Sequence, residues 1–440
     1  MSQRVLVGGY TADMTPELPV RLAGYSARTR PADEQAEPLL VTTVTVKTDA
    51  VRVVLIGADC VGLDASVAGP LRRRAAEIAD TEAAHVHICA SHTHFGPVLS
   101  PFRFLDPTQM IVEPEEGAVR RFREAVEHSV ARAVETETAA DMDWFTVPVA
   151  GFSFNRRFRR QTGETETRFR YPQSDVDLAE QPIDDRMTVM TFRRASYVVA
   201  TLIHLACHPV CGADDGQYVV SSDYVHHLRR TVTGELEGPV LFLQGAAGDV
   251  VPARRGGASR RLIGGGFGSA VLANTPRFSR EYDVPVRTAR KSLALPVPSL
   301  YPADDLDAAL ANAAAASESS DTSTPEGLHY WKLLSAAFFR RIYPDGIMHI
   351  DLSAVRIGPL DLVFLPFEIL SSLSLEVRSA AECARIVSCA DGYQGYLPSE
   401  EETRSGGYEG RPGTRHVDDE ARSRIVSTMY SLLEQLAESN

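Results

Sequence analysis

His92 and His94, in Ala90-Ser91-His92-Thr93-His94-Phe95-Gly96-Pro97, are the residues of this 440-residue chain best placed to do chemistry. The apolar run Val86 to Cys89 before them reads as a buried strand. Side chains repeat every second residue on an extended backbone, so two imidazoles with one residue between them leave on the same face. One histidine of such a pair can ligate a metal while the other meets a bound substrate. Gly96-Pro97 then ends the strand and leaves the pair at a loop mouth.

Three further segments carry reactive groups. In Thr201-Leu-Ile-His204-Leu-Ala-Cys207-His208-Pro209 an apolar strand ends at His208, which projects from the terminus as His92 does. His204 lies within the strand and reads as a packed core histidine. Cys207 and Cys211 flank His208, but no second cysteine pair at zinc-finger spacing accompanies them, which argues against a Cys/His cluster. In Leu362-Val-Phe-Leu-Pro366-Phe-Glu368 a carboxylate follows a strand and a proline, either at the strand's end or in a helix's first turn, where the macrodipole favours it. The fourth segment, Ala390-Asp-Gly-Tyr393-Gln-Gly-Tyr396-Leu-Pro398, is a glycine-punctuated loop with two phenols.

These groups need elements to position them. Hydrophobic patterning places strands within 40–58 and at 85–91, 143–149, 187–193, 197–207, 239–243, 348–356 and 360–366. It places helices around Leu71 to Ile78 and at 117–137, 223–235, 303–317, 327–341, 369–382 and 417–437. Their irregular alternation predicts an α/β fold of mixed β-sheets flanked by helices, without the rhythm of a doubly wound sheet. The length allows two or three domains, and the reading adopted is one unit over 1–440. Gly264-Gly265-Gly266-Phe267-Gly268 fits neither a dinucleotide fingerprint nor a Walker loop and predicts close helix packing. Ser317 to Pro325 is polar and reads as a connection between two helices.

Composition narrows the function classes. A net charge of −13 argues against nucleic acid and anionic membranes as partners. No stretch reaches the ~18 apolar residues of a membrane span, and the N-terminal residues lack the pattern of a secretion signal. Six cysteines in a chain of this length suggest no disulfide framework, and the four in apolar surroundings read as buried reduced thiols, so a cytoplasmic protein is expected.

Taken together, these segments resemble the amidase domain of the neutral (alkaline, non-lysosomal) ceramidase family. The likeness rests on Asp13-Met-Thr-Pro, Ser91-His-Thr-His94-Phe-Gly-Pro, Asn155-Arg156, His208-Pro209, Gly248-Asp249-Val250-Val251-Pro252, Pro366-Phe-Glu368 and Tyr393-Gln-Gly-Tyr396, in that order. The resemblance implies a zinc ion, Zn2+, held by His92, His208, Glu368 and Tyr396, with Tyr393 the rival phenol. It further implies that His94 acts on the substrate carbonyl as acid/base or oxyanion stabiliser, joined by Arg156. Neutral imidazoles, a carboxylate and a phenolate are donors suited to zinc, though such N/O sets also suit manganese or iron.

The chain departs from that family in two places. Val251 stands where the family carries a serine regarded as catalytic, and valine has no hydroxyl to activate. With only a short tail and one helix read after Tyr408, the immunoglobulin-like domain of secreted ceramidases is not expected here. Arg156, Arg157, Arg159 and Arg160 follow one motif, and Arg254, Arg255, Arg260 and Arg261 follow another. Guanidinium groups match carboxylates and phosphates bidentately, so a small anionic N-acyl or peptide-like substrate is expected. The expected reaction is cleavage of a C–N bond by metal-activated water. Its rivals are intramolecular acyl transfer forming a lactam-type ring in biosynthesis, and a non-catalytic relative whose ion is structural.

Overall fold

Strand Arg52–Ala58 shows how the layers arise. Its Val53 and Leu55 enter one buried apolar cluster and its Val54 and Ile56 another, the alternation of a strand covered on both faces. Strand Val240–Gln244 repeats the pattern, with Leu241 and Leu243 on one side and Val240 and Phe242 on the other. The structure, a computed structural model, describes residues 5–106, 108–172, 177–214, 216–300, 305–316 and 324–438.

Both strands belong to a nine-stranded sheet. Its order is Val240–Gln244, Tyr197–Leu205, Arg186–Arg194, Thr138–Pro148, Val5–Asp13, Leu40–Lys47, Arg52–Ala58 and Val86–Ala90, with Ser279–Glu281 added beside Thr138–Pro148. Pairing is antiparallel except at the two ends, where Val86–Ala90 and Val240–Gln244 run parallel to their neighbours. Helices Ala65–Ala79, Glu116–Glu135, Tyr224–Leu236 and Gly257–Asn274 cover one face. The other face packs on a four-stranded sheet of Val286–Pro296, Ile347–Ile357, Leu360–Phe364 and Ala384–Val387. Helices Pro325–Ile342, Ser371–Ala380 and Asp419–Glu438 lie beyond it. The architecture is therefore helix, sheet, sheet, helix: the mixed α/β fold expected.

His92 and His208 follow strands near opposite ends of the large sheet, so curvature must bring them together. A Cβ on Gly57 would lie 2.7 Å from the Leu241 side chain, which shows how closely the ends approach. The chain after Ala384–Val387 ties them. Ser388 N–H donates to the Gln244 carbonyl at 2.8 Å, Ala90 N–H to Cys389 at 3.1 Å, and Asp391 N–H to Ile88 at 2.8 Å. The reactive segments thus emerge beyond the carboxyl ends of parallel strands, the usual place for ligand sites in α/β sheets.

Of the elements unread in the sequence the longest are strands Val5–Asp13 and Val286–Pro296 and helix Gly257–Asn274. Glycines hide two of them. Gly8 interrupts the first strand because a Cβ there would run into the Ala133 backbone. The glycines of 257–274 depress helix propensity, but a Cβ on Gly268 would meet Thr231 Cβ at 2.6 Å, so close packing on Tyr224–Leu236 explains the run, as expected. Most of the Ser317 to Pro325 connection, 317–323, lies outside the described residues. Among the described residues no helix is long and apolar enough to cross a membrane.

Candidate metal centre

The strand expected to carry both imidazoles stops at Ala90, and His92 has φ +67°, in the left-handed region. This corrects the picture of two rings leaving one extended face: the His92 and His94 rings cross at 81°, 4.9 Å apart. Backbone in this region costs of order 1–3 kcal/mol for a non-glycine residue and persists only where the surroundings over-determine it. Here His92 N–H donates to the Cys60 carbonyl at 2.9 Å, and its Nδ1 lies 2.6 Å from the Val61 carbonyl. Gly24 leaves room for His94, since a Cβ there would sit 2.6 Å from His94 Cβ. Arg28, buried, holds the same turn by donating to Ala23 O at 2.6 Å and His94 O at 2.7 Å.

The side chains converge. Ligand atoms of His92, His94 and His208 all lie within 4.8 Å of one another. His92 Nε2 is 3.2 Å and His208 Nε2 3.1 Å from the same Glu368 Oε2. Glu368 is neither exposed nor in a helix's first turn, so the capping reading is corrected. It lies buried in a short strand, in register with Tyr396 on the parallel neighbour. Tyr393 hydroxyl donates to Glu368 Oε1 at 2.5 Å. Tyr396 hydroxyl accepts from Arg156 Nη2 at 3.0 Å.

This donor set fits a divalent cation. A carbonyl only accepts, so the Nδ1 atoms of His92 and His208 must be N–H donors to Val61 and Val250. That fixes the tautomer in the manner of metal-ligating histidines and turns both Nε2 atoms toward Glu368. Burial lowers the His92 imidazole, but Glu368 outweighs it and raises the group well above its ordinary value. Burial pushes His208 down to about 4, so its Nε2 lone pair faces a carboxylate oxygen without a proton between them. Two acceptors in contact are favourable only with a cation joining them. Burial would raise the Glu368 carboxyl, yet His92 and His208 hold it well below the usual range, in its ligating form. Burial, with His92 and His208 adding to it, holds His94 well below its ordinary value and so neutral. Its buried Nδ1 has no hydrogen-bond partner among the described residues. Tyr396 is raised well above its ordinary value by burial, while the Arg156 cation works toward the phenolate.

Arg156 is itself positioned. Its Nε donates to Glu409 Oε1 at 2.7 Å, and Arg157 Nη1 to Glu409 Oε2 at 2.5 Å. Glu409 is 0 % exposed and answers both guanidiniums, yet nothing in Tyr408-Glu409-Gly410 marks it in the sequence. His204 donates to, or accepts a proton shared with, no site residue: its Nε2 reaches the Ile386 carbonyl at 2.8 Å, as a core histidine does. Cys207 and Cys211 sit in an apolar cluster, and all six cysteines are free. Asp13 lies apart, its Oδ1 capping Thr15 N–H at 2.7 Å.

Asp249 ties the scaffold. Its Oδ1 accepts from Ser371 N–H at 2.9 Å and Ser371 hydroxyl at 2.7 Å, and its Oδ2 from Asn155 Nδ2 at 2.8 Å. Burial raises its carboxyl to about 6. A raised carboxyl binds its proton more tightly when folded, so its contribution is complete below about pH 4 and lost as pH rises to about 6. Wild-type stability should therefore fall relative to Asp249→Asn by on the order of 2–3 kcal/mol across that window. Urea midpoints of both proteins at several pH values check this, and parallel pH profiles would refute it. Val251, next in the motif but one, packs among Phe154, Phe158 and Val210.

Two cavities flank the cluster, the larger with about 920 Å³ and the smaller with about 840 Å³ of empty space counted out into open solvent. They share a wall that includes His94, Tyr396, Tyr408 and Trp331. Glu368 and Tyr393 face the larger, and His208, Arg156 and Arg255 the smaller. Of the eight arginines singled out in the sequence, only Arg156 and Arg255 line a cavity beside the histidines. Arg157 pairs with Glu409, Arg159 with Glu401, Arg160 with Glu166 and Arg260 with Glu37.

No family model and no curated protein matches this chain. Among solved structures it is similar to neutral ceramidase from Pseudomonas aeruginosa, with a TM-score of 0.72 and 17% identity over 99% of this chain and 75% of that one. It is also similar to a ceramidase complexed with C2, with a TM-score of 0.70 and 16% identity over 98% of this chain and 76% of that one. The chain has a ceramidase-like fold.

Proposed function

We propose that this protein is a metal-dependent hydrolase that cleaves an amide bond in a small, anionic N-acyl or peptide-like metabolite. The observation that carries the reading is the convergence of His92, His208 and Glu368, with a neutral His94, on the wall between two cavities. The ceramidase names of the structural neighbours support amide cleavage as the reaction class. In this reading His92, His208, Glu368 and Tyr396 hold zinc. These residues come from across 1–440, and the chain works as one unit.

A divalent ion so held supplies Lewis acidity and lowers the pKa of water toward neutrality. The protein's own groups do the rest. His94, uncharged, accepts a proton as the nucleophile forms and returns it to the departing nitrogen. Arg156 has its Nε and Nη2 committed, and its Nη1, without a hydrogen bond among the described residues, is the donor for a developing oxyanion. A well-placed donor of this kind is worth ~2.7–4 kcal/mol. Val251 offers no hydroxyl, so no serine ester forms at that position. The same feature favours one alternative, attack by a group of the substrate on its own carbonyl; product mass separates the two, because hydrolysis adds water and cyclisation expels a leaving group.

His94→Ala tests the division of labour. It should keep its metal and lose turnover of N-acyl amino acids by roughly 10²–10⁴-fold, read by elemental analysis and steady-state kinetics together. An active variant defeats the acid/base role, and an ion-free one makes His94 a ligand.

A further inference from the structure

The larger cavity holds an arginine that the sequence reading passed over. Arg103 lines it beside Trp331, Phe338 and Leu99. The guanidinium carbon lies 4.5 Å from the Trp331 ring centroid and 4.8 Å from that of Phe338. Nη1 donates to Ser335 Oγ at 2.7 Å and to the Gly413 carbonyl at 2.8 Å. Among the described residues the Nε and Nη2 edge makes no hydrogen bond, and no carboxylate lies within ion-pair distance. Arg103 is half-buried, and among the fully buried arginines Arg72, Arg156, Arg157, Arg186 and Arg229 each have a carboxylate, while Arg28 and Arg385 spread their donors over carbonyls and hydroxyls. The ionisable groups acting on Arg103 are instead the phenols of Tyr408, Tyr393 and Tyr343, and burial pulls the guanidinium down to about 10. Two carboxylates share the cavity, but Asp64 caps a helix at Ser66 N–H and Glu368 belongs to the histidine cluster.

A partly desolvated guanidinium with one edge unbonded gains from a ligand that supplies a counter-charge. The free edge presents two N–H groups side by side, the spacing that two oxygens of one carboxylate match. The adjoining rings orient the guanidinium plane and shield it from water. We propose that Arg103 is the specificity-determining residue of this site, taking a carboxylate of the substrate through Nε and Nη2 in the larger cavity. That the anion belongs to a substrate rests on the amidase reading; that it binds there does not.

The chain has two tryptophans, Trp144 and Trp331, so Trp144→Phe leaves Trp331 as a reporter against the guanidinium. Metal-replete Trp144→Phe protein is titrated with N-octanoylglycine and with its neutral carboxamide. The acid should change the emission saturably and the amide should not. Adding Arg103→Gln should weaken binding of the acid roughly 10–100-fold, with metal content unchanged. Should that variant not fold, Arg103→Lys, which keeps the charge but loses the planar edge, must lose most of the preference for acid over amide in KM while kcat moves little. Equal responses to acid and amide, undiminished binding in Arg103→Gln, or displacement of the acid by millimolar inorganic phosphate would overturn the assignment. Tight binding of the acid without turnover would leave Arg103 in place and refute the amidase reading alone.

Discussion

Glu368→Ala should yield a protein that cannot keep its metal. The carboxylate is the shared partner of His92 Nε2 and His208 Nε2, at 3.2 Å and 3.1 Å, and Tyr393 donates to its other oxygen. Without it two neutral imidazoles remain, and the site loses the only negative charge among the three groups in contact. Outer-shell substitutions already cost ~10–100-fold in metal affinity, so loss of this carboxylate should cost at least that much. Competition against a graded series of chelators measures the change, and activity should fall with occupancy. Glu368→Gln separates charge from shape: it keeps an oxygen and the volume, and should also lose most of the affinity. A Glu368→Ala protein with wild-type metal retention would mean that the ion, if any, sits on other residues.

Glu409→Gln should be the most destabilising single change near the site. One carboxylate answers two guanidiniums, Arg156 and Arg157, and all three side chains are buried. Burial would raise the Glu409 carboxyl, but the two arginines hold it below its ordinary value. Removing one partner of a buried ion pair leaves an uncompensated charge and costs roughly 3–5 kcal/mol. Arg157 retains carbonyl partners at Glu402 and Gly406, both at 2.9 Å, so the loss falls mainly on Arg156. Arg156 then no longer holds its Nη2 toward Tyr396, and turnover should drop beyond what stability explains. Denaturant midpoints, with kcat measured well below the transition, check both parts; an unchanged midpoint would show that Glu409 is not the counter-ion of this pair.

The reactive positions were legible because each follows a readable strand. The runs before His92, His208 and Glu368 appear as Val86–Ala90, Tyr197–Leu205 and Leu360–Phe364, close to the segments expected. Order along the chain said nothing of how distant strand ends meet. That depends on the curl of the nine-stranded sheet and on the Ser388 to Asp391 bridge, which leave no period in the sequence. The turn at His92 was misread for a related reason: a left-handed residue held by tertiary contacts overrides the extended pattern of the strand before it. Charge was misweighted too. Clustered arginines drew attention, whereas most of them pair with nearby acids. The solitary Arg103 lines a cavity beside the histidines and the solitary Glu409 is the buried counter-ion of Arg156, and nothing local in the sequence marks either.

The central claim is that His92, His208, Glu368 and Tyr396 hold one divalent ion while His94 stands beside it. Metal stoichiometry of the purified wild-type protein and of His92→Ala, His208→Ala and His94→Ala, by inductively coupled plasma mass spectrometry, tests it most directly. The account predicts one zinc per chain in the wild-type and His94→Ala proteins and almost none in the other two. Zinc retained in His208→Ala, or lost from His94→Ala, would contradict it.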